Sequence, residues 1–282
     1  MTAFENITTL YNSSCNICGS IQNASTTSLF TDDEIENLIE GVETGLYTTD
    51  NLPEWYYTRI AEALYSAVET GFGATLLELE MGGVDYVLLE ELRTNIYVFS
   101  AAKTYNQQLQ MSELLVKYKD RPDLFRKEAL KLFNDYNTPQ GANYLSAEYQ
   151  TAKASARSAI NWNNITVKKD LFPLLEYQTQ GDARVRPTHV ELDGITRPVD
   201  DVFWNSYYPP NGWRCRCYTI SHGDGDKPIS DMRGFKQPND VPDLFLMNSG
   251  KDKLIFSKDH PYFEIKRGDK DLALNNFNLP MP

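Results

Sequence analysis

The residues with the most chemical potential are four cysteines and three histidines, and they are unevenly spread. The cysteines form two close pairs, Cys15/Cys18 (C-x-x-C) and Cys215/Cys217 (C-x-C), and the histidines are His189, His222 and His260. Thiolate and imidazole together suit zinc. His189, Cys215 and Cys217 supply three such ligands, with His222 as the candidate fourth. The same stretch supports a second, preferred reading. In it Asp182 and Asp193 hold Arg184, Arg186 and His189 in a buried polar knot, and the cysteines pack as small hydrophobes. A Cys215–Cys217 disulfide is the third option, disfavoured by its short loop and by a reducing cytosol. Cys15-Asn16-Ile17-Cys18-Gly19 resembles half a zinc knuckle or a thioredoxin-type pair. With no second C-x-x-C nearby and no βαβ context, it reads as two unconnected thiols on an arm.

Two further groups invite a chemical reading and receive a structural one. Trp204, Tyr207, Tyr208 and Trp213 surround Pro209-Pro210-Asn211-Gly212. Such a cluster either anchors a partner or staples a loop-rich domain, and Trp204 and Trp213 are assigned to the core. Next to His260 no Ser or Cys nucleophile with a recognisable elbow appears, so that histidine is expected to be buried.

The elements that must position these residues differ between the halves. Residues 1–30 are polar and rich in Ser, Thr and Asn, and read as a flexible arm. Thr31-Asp32-Asp33-Glu34 is a helix start with a capping acid. Leu52–Gly71, Glu90–Lys119 (one long helix or two in tandem), a helix from Pro122 that stops near Asn137-Thr138-Pro139, and Tyr144–Asn161 carry apolar residues at helical spacing. The last of these is rich in Ala and Ser, which lets a neighbour approach closely. Beyond it Ile165-Thr166-Val167 and Leu174–Thr179 read as short strands. Of the 14 prolines, 11 lie beyond residue 160, so that half is loop-rich. The expected class is α+β: an arm (1–30), a helical domain (31–160) and a small loop-rich α+β module (161–282). Arg186–Gly194 is open to two readings. Pro187 starts a short helix that Gly194 closes, or Asp193-Gly194 forms a hairpin turn between His189–Leu192 and Ile195–Val199.

Bulk composition removes some classes. A net charge of −12 opposes a dedicated nucleic-acid binder, since phosphate affinity rests on Lys and Arg. Still, Arg184, Arg186, Arg197, Arg214 and Arg216 concentrate positive charge in one stretch, which keeps a DNA-binding accessory role as a minor alternative. No apolar run approaches the roughly 20 residues of a membrane span. Met1–Glu5 lacks signal-peptide features, so the chain is expected to stay in a cytosol until packaged.

One segment carries more information than any single motif. Leu174–Ile220 contains Tyr177-Gln178-Thr179, Gly181-Asp182-Ala183-Arg184-Val185-Arg186, His189 and Leu192-Asp193-Gly194. It continues through Asp201, Phe203-Trp204, Pro209-Pro210-Asn211-Gly212-Trp213 and Cys215-Arg216-Cys217. Ala147-Glu148-Tyr149 precedes it, and Phe256–Phe263 follows as a closing segment. This combination resembles the phage Mu F-like minor head (head morphogenesis) family over about residues 144–265. Many relatives have C-x-x-C where this chain has Arg186 and His189, and His-Pro-Asn where it has Gly212-Trp213-Arg214, which marks a Mu-type branch. The resemblance favours a helix followed by a turn at Arg186–Gly194. It implies a structural minor capsid protein of a tailed phage and no enzyme. Its expected place is the virion, in the capsid interior or portal region, with the portal or major capsid protein as partner and contact with packaged DNA. There it would assist head assembly and DNA packaging or delivery. The alternative is a metal-dependent nuclease or toxin-like enzyme, since such modules are sometimes fused to effector domains. Only about 20 residues follow the closing segment, and the carboxylates near His189 lack a nuclease pattern.

Overall fold

A computed structural model describes residues 29–137, 144–238 and 241–279. Five helices come first: α1 (Asp32–Glu43), α2 (Glu54–Phe72), α3 (Val84–Lys117), α4 (Pro122–Asn137) and α5 (Tyr144–Val167). Thr31 and Glu34 form the capping box that starts α1, each accepting from the other's backbone N–H. The 34 residues of α3 form one helix, not two. Along Phe99–Gln108 it is buried on every side, so polar residues such as Lys103, Thr104 and Gln107 lie in the core.

The small residues of α5 do what their size permits. Ala147, Ala152, Ala156 and Ala159 are buried, and α2 lies against them. At Gly71 of α2 the two backbones approach so closely that a β-carbon would overlap the carbonyl of Lys153. The expected strand at Ile165–Val167 is instead the last turn of α5. Trp162 is buried in a second core and Ile165 packs against that core, so helical periodicity overrides the β preference of a β-branched run.

The second half contributes a three-stranded antiparallel sheet from β1 (Leu174–Gln178), β2 (Thr196–Pro198) and β3 (Tyr218–His222), in the order β2-β1-β3. One-turn helices α6 (Pro187–Val190) and α7 (Phe203–Ser206) lie in its connections. The fold is α+β, as the sequence implies. Leu175 and Tyr177 of β1 join Leu192, Val199, Phe203, Trp204 and Tyr208 in the second core. The larger core runs across the middle of the chain. It unites α1–α5 with Trp213, Phe245, Phe256 and Tyr262.

A polar latch fixes the closing segment along α3. Asn95 accepts at Oδ1 from the backbone N–H groups of Ile255 and Phe256, both at 2.9 Å, and donates to the Phe256 carbonyl at 3.1 Å. Phe99 stacks on Phe256 at 3.9 Å between ring centres, and Asn106 donates to the Tyr262 carbonyl at 2.6 Å. Below them Lys103 meets Glu148 of α5 at 2.6 Å, with both side chains wholly buried, and the Tyr262 hydroxyl donates to the other Glu148 oxygen at 3.2 Å. Among the described residues no helix is long and apolar enough to cross a membrane.

Candidate metal centre

The site begins with Pro187, whose missing N–H and fixed φ suit the first position of a helical turn. That turn buries Thr188 and His189, and Gly194 (φ +77°) closes the loop with its N–H donated to the Tyr177 carbonyl at 2.8 Å. The hairpin alternative is therefore set aside. Asp193 accepts from the Thr179 N–H at 2.6 Å, so the His189 loop is tied to β1 at two points.

Facing it, Cys215-Arg216-Cys217 leads into β3. In extended chain, residues i and i+2 share a side. C-x-C can therefore aim both sulfurs at one neighbour. Nδ1 of His189 lies 3.4 Å from Sγ of Cys217 and 3.7 Å from Sγ of Cys215. One ligand atom from each of the three residues lies within 4.8 Å of the others. The two cysteines are free and not joined in a disulfide. The Cys217 thiol, with the His189 ring behind it, holds Cys215 well below the ordinary thiol range, whereas Cys215 and then burial push Cys217 up.

The orientation of His189 comes from Asn211. Nε2 lies 3.2 Å from the Asn211 carbonyl, which only accepts, so Nε2 carries the hydrogen and Nδ1 is left to face the sulfurs. Asn211 is itself fixed: it accepts at Oδ1 from the Tyr177 hydroxyl at 3.1 Å and donates to the carbonyls of Ser206 and Phe245, both at 3.2 Å. A ring nitrogen pinned on a backbone carbonyl is how metal-ligating histidines are commonly held. Donor type, orientation and spacing thus fit three of the four positions around a zinc ion.

The other expected site residues fall in different places. His222 does not join the cluster; it lies at the far end of β3, with Nε2 2.7 Å from Glu176, which Lys227 also contacts at 3.1 Å. The polar knot has other partners than those expected. Asp182 grips Arg216 through two bonds of 2.6 and 2.8 Å, which hold its carboxyl down at about 2, and Arg184 is exposed. Arg186 donates to the Trp213 carbonyl at 2.7 Å, and Gly212 lets that guanidinium lie close to the backbone. Arg197 pairs with Asp201 at 2.5 Å. Trp204, Trp213, Tyr207 and Tyr208 are all buried, and Trp204 donates to the Pro198 carbonyl at 2.9 Å. His260 is buried, accepting at Nδ1 from the Tyr262 N–H at 3.1 Å. Cys15 and Cys18 lie outside the described residues.

Asn211 and Tyr177 are the functional residues that sequence reasoning leaves without a role. Both stand inside quoted motifs, and the Asn in Pro209-Pro210-Asn211-Gly212 is the signal that points to a backbone-bonding side chain.

A helical scaffold latched to a small sheet, with a buried His-Cys-Cys cluster between a helical turn and a strand, defines an α+β module. The chain belongs to the phage Mu protein F like family, whose model matches residues 58–220. It is 37% identical over 73 residues to the putative capsid assembly protein F of Escherichia phage Mu, covering 26% of this chain and 17% of that protein. It is also 39% identical over 67 residues to the Mu-like prophage FluMu F protein of Haemophilus influenzae, covering 24% of this chain and 15% of the relative. The matched stretches thus span less than a fifth of either relative. No solved structure matches the chain.

Proposed function

We propose that the chain is a structural component of phage head assembly. It acts in the virion at the portal or on the capsid interior and has no catalytic role. The observation that carries this is the identity shared with a protein named for capsid assembly. The site geometry agrees: His189 and both sulfurs are directed at one another in a tightly bonded setting, which serves rigidity. The helical residues 31–160 would present the docking surface, and the module at 161–282 would be the stable plug, with packaged DNA nearby. Purified chain mixed with portal rings or with capsid shells at micromolar concentration is expected to co-sediment with one of them. Sedimentation of the chain with neither would reject the reading.

We propose further that His189, Cys215 and Cys217 hold a zinc ion, which would supply a cross-link between the α6 loop and β3. The beginning of β3 would then be fixed to the helical turn by bonds as well as packing. Elemental analysis of the purified chain should show about one zinc per chain for this three-residue donor set, and Cys217→Ser should lose it. Zinc-free protein with an unchanged melting temperature after chelator treatment would refute the metal and leave the hydrogen-bonded knot.

A further inference from the structure

A cleft of about 770 Å³ opens between α5 and the β3 side of the sheet. Its walls carry Lys153, Arg157, Lys168, Arg184, Arg214 and Arg216, and no Asp or Glu is among its lining residues. In a chain of net charge −12 this is a strong local reversal. Lys153 and Arg157 stand on one face of α5, at helical spacing, and Lys168 follows in the turn just beyond its last residue. Lys153 and Arg157, four residues apart, repel one another, a small cost to the helix that a bound anion would remove. Lys153, Arg157, Lys168 and Arg184 make no ion pair among the described residues, whereas Asp182 engages Arg216 from outside the cleft lining.

The second observation is a strand edge in the same wall. Tyr177 donates its N–H to the Ile195 carbonyl, and its own carbonyl accepts from Gly194, so its peptide groups face the β2 side. Peptide groups alternate sides along a strand. Glu176 and Gln178 therefore face β3, where they stand opposite Ile220 and Tyr218. By the same alternation the peptide groups of Thr219 and Ser221 point outward, and both residues line the cleft. The opposite sheet edge is covered: Ser230 donates its N–H to the Thr196 carbonyl and accepts at its hydroxyl from the Thr196 N–H, each at 3.0 Å. No described segment covers β3 in that way. Proteins usually protect such edges, and an open edge is a template for another extended chain.

We infer that this cleft docks an extended, acidic polypeptide segment of a partner protein, which adds as a fourth strand beside β3 while its carboxylates meet the α5 and arginine cations. Charge alone would equally suit nucleic acid. The edge decides, because its outward carbonyls need N–H donors, which a peptide backbone carries and a phosphodiester backbone does not. The inference rests on the assembly reading only for where the segment comes from, and its test uses the purified full chain with no capsid component present.

Fluorescence anisotropy of a labelled deca-glutamate peptide should show saturable binding that weakens with salt. Arg157→Glu, on an exposed side of α5, should weaken it about tenfold. A deca-glutamate with every peptide bond N-methylated should also bind about tenfold more weakly, since no N–H is left to donate to the two outward carbonyls and the protein is unaltered. No binding, or equal binding of both peptides, would overturn the strand-addition site. An oligothymidylate of matched charge that binds more tightly than deca-glutamate would instead make the cleft a nucleic-acid site. Failure to sediment with capsids would count against the assembly reading and leave these measurements untouched.

Discussion

Lys103 and Glu148 give the sharpest test of what holds α3 to α5. Their charged atoms are 2.6 Å apart with both side chains fully buried, and Lys103 also donates to the Tyr136 carbonyl at 3.3 Å. Its ammonium lies 5.9 and 6.0 Å from the ring centres of Tyr136 and Tyr262. Burial pushes the Lys103 ammonium down, and the Glu148 carboxylate opposes this, so the pair is poised between desolvation and attraction. Removing one partner leaves a carboxylate in the core without its cation. Lys103→Met should therefore cost about 3–5 kcal/mol, a large share of the roughly 5–15 kcal/mol that holds a typical domain. Replacing both charges with apolar groups removes the desolvation cost as well. Lys103→Met/Glu148→Leu should thus recover most of that loss and return to within about 2 kcal/mol of the wild type. Urea unfolding followed by tryptophan fluorescence measures all four corners of the cycle, including Glu148→Leu. The reasoning fails if Lys103→Met costs less than about 1 kcal/mol, or if the double variant is no more stable than the single one.

Two other perturbations follow from the packing. Burial, with the Lys103 ammonium adding to it, pushes His260 down to about 3 from its ordinary value near 6.5. The unfolded chain therefore takes up a proton below pH 6.5 that the folded chain refuses. Stability should fall as pH drops from 6.5 towards 3, by about 2 kcal/mol at pH 5. His260→Gln should flatten that part of the pH–stability curve in urea titrations; an unchanged slope would mean the ring is protonated in place. Gly71→Ala should destabilise by about 1–3 kcal/mol by forcing α2 away from the Lys153 backbone, and thermal melts against the exposed control Gly268→Ala would show whether the close approach is real.

What could be read from the sequence divides by the range over which each signal acts. The apolar spacing in α2 and α3, the capping box at Thr31 and the Leu174–Gln178 strand are local patterns, and the structure keeps them. Ile165–Val167 is the instructive exception. Its β-branched residues favour a strand, but Trp162 and Ile165 reach the second core at helical spacing, and packing decides. The chemical cluster was half legible. His189, Cys215 and Cys217 announce themselves by type, and C-x-C is the spacing an extended chain needs to aim two sulfurs one way. The fourth candidate, His222, fails for the same geometric reason: five residues further along β3 it sits beside Glu176.

Partnerships among charged residues were not legible, because they are set by approach in three dimensions. Asp182 lies beside Arg184 in sequence and pairs with Arg216, 34 residues away. Lys103 and Glu148 look like surface residues of separate helices and meet in the core. Net charge misleads in a related way. A total of −12 describes the field far from the molecule. A ligand in the cleft meets instead two cations from one face of α5, Lys168 just beyond its end, and three arginines from the 184–216 stretch, brought together by the fold and with no acid among the lining residues. Attraction between charges is screened within about 10 Å at ordinary salt, so the local set governs what can bind there.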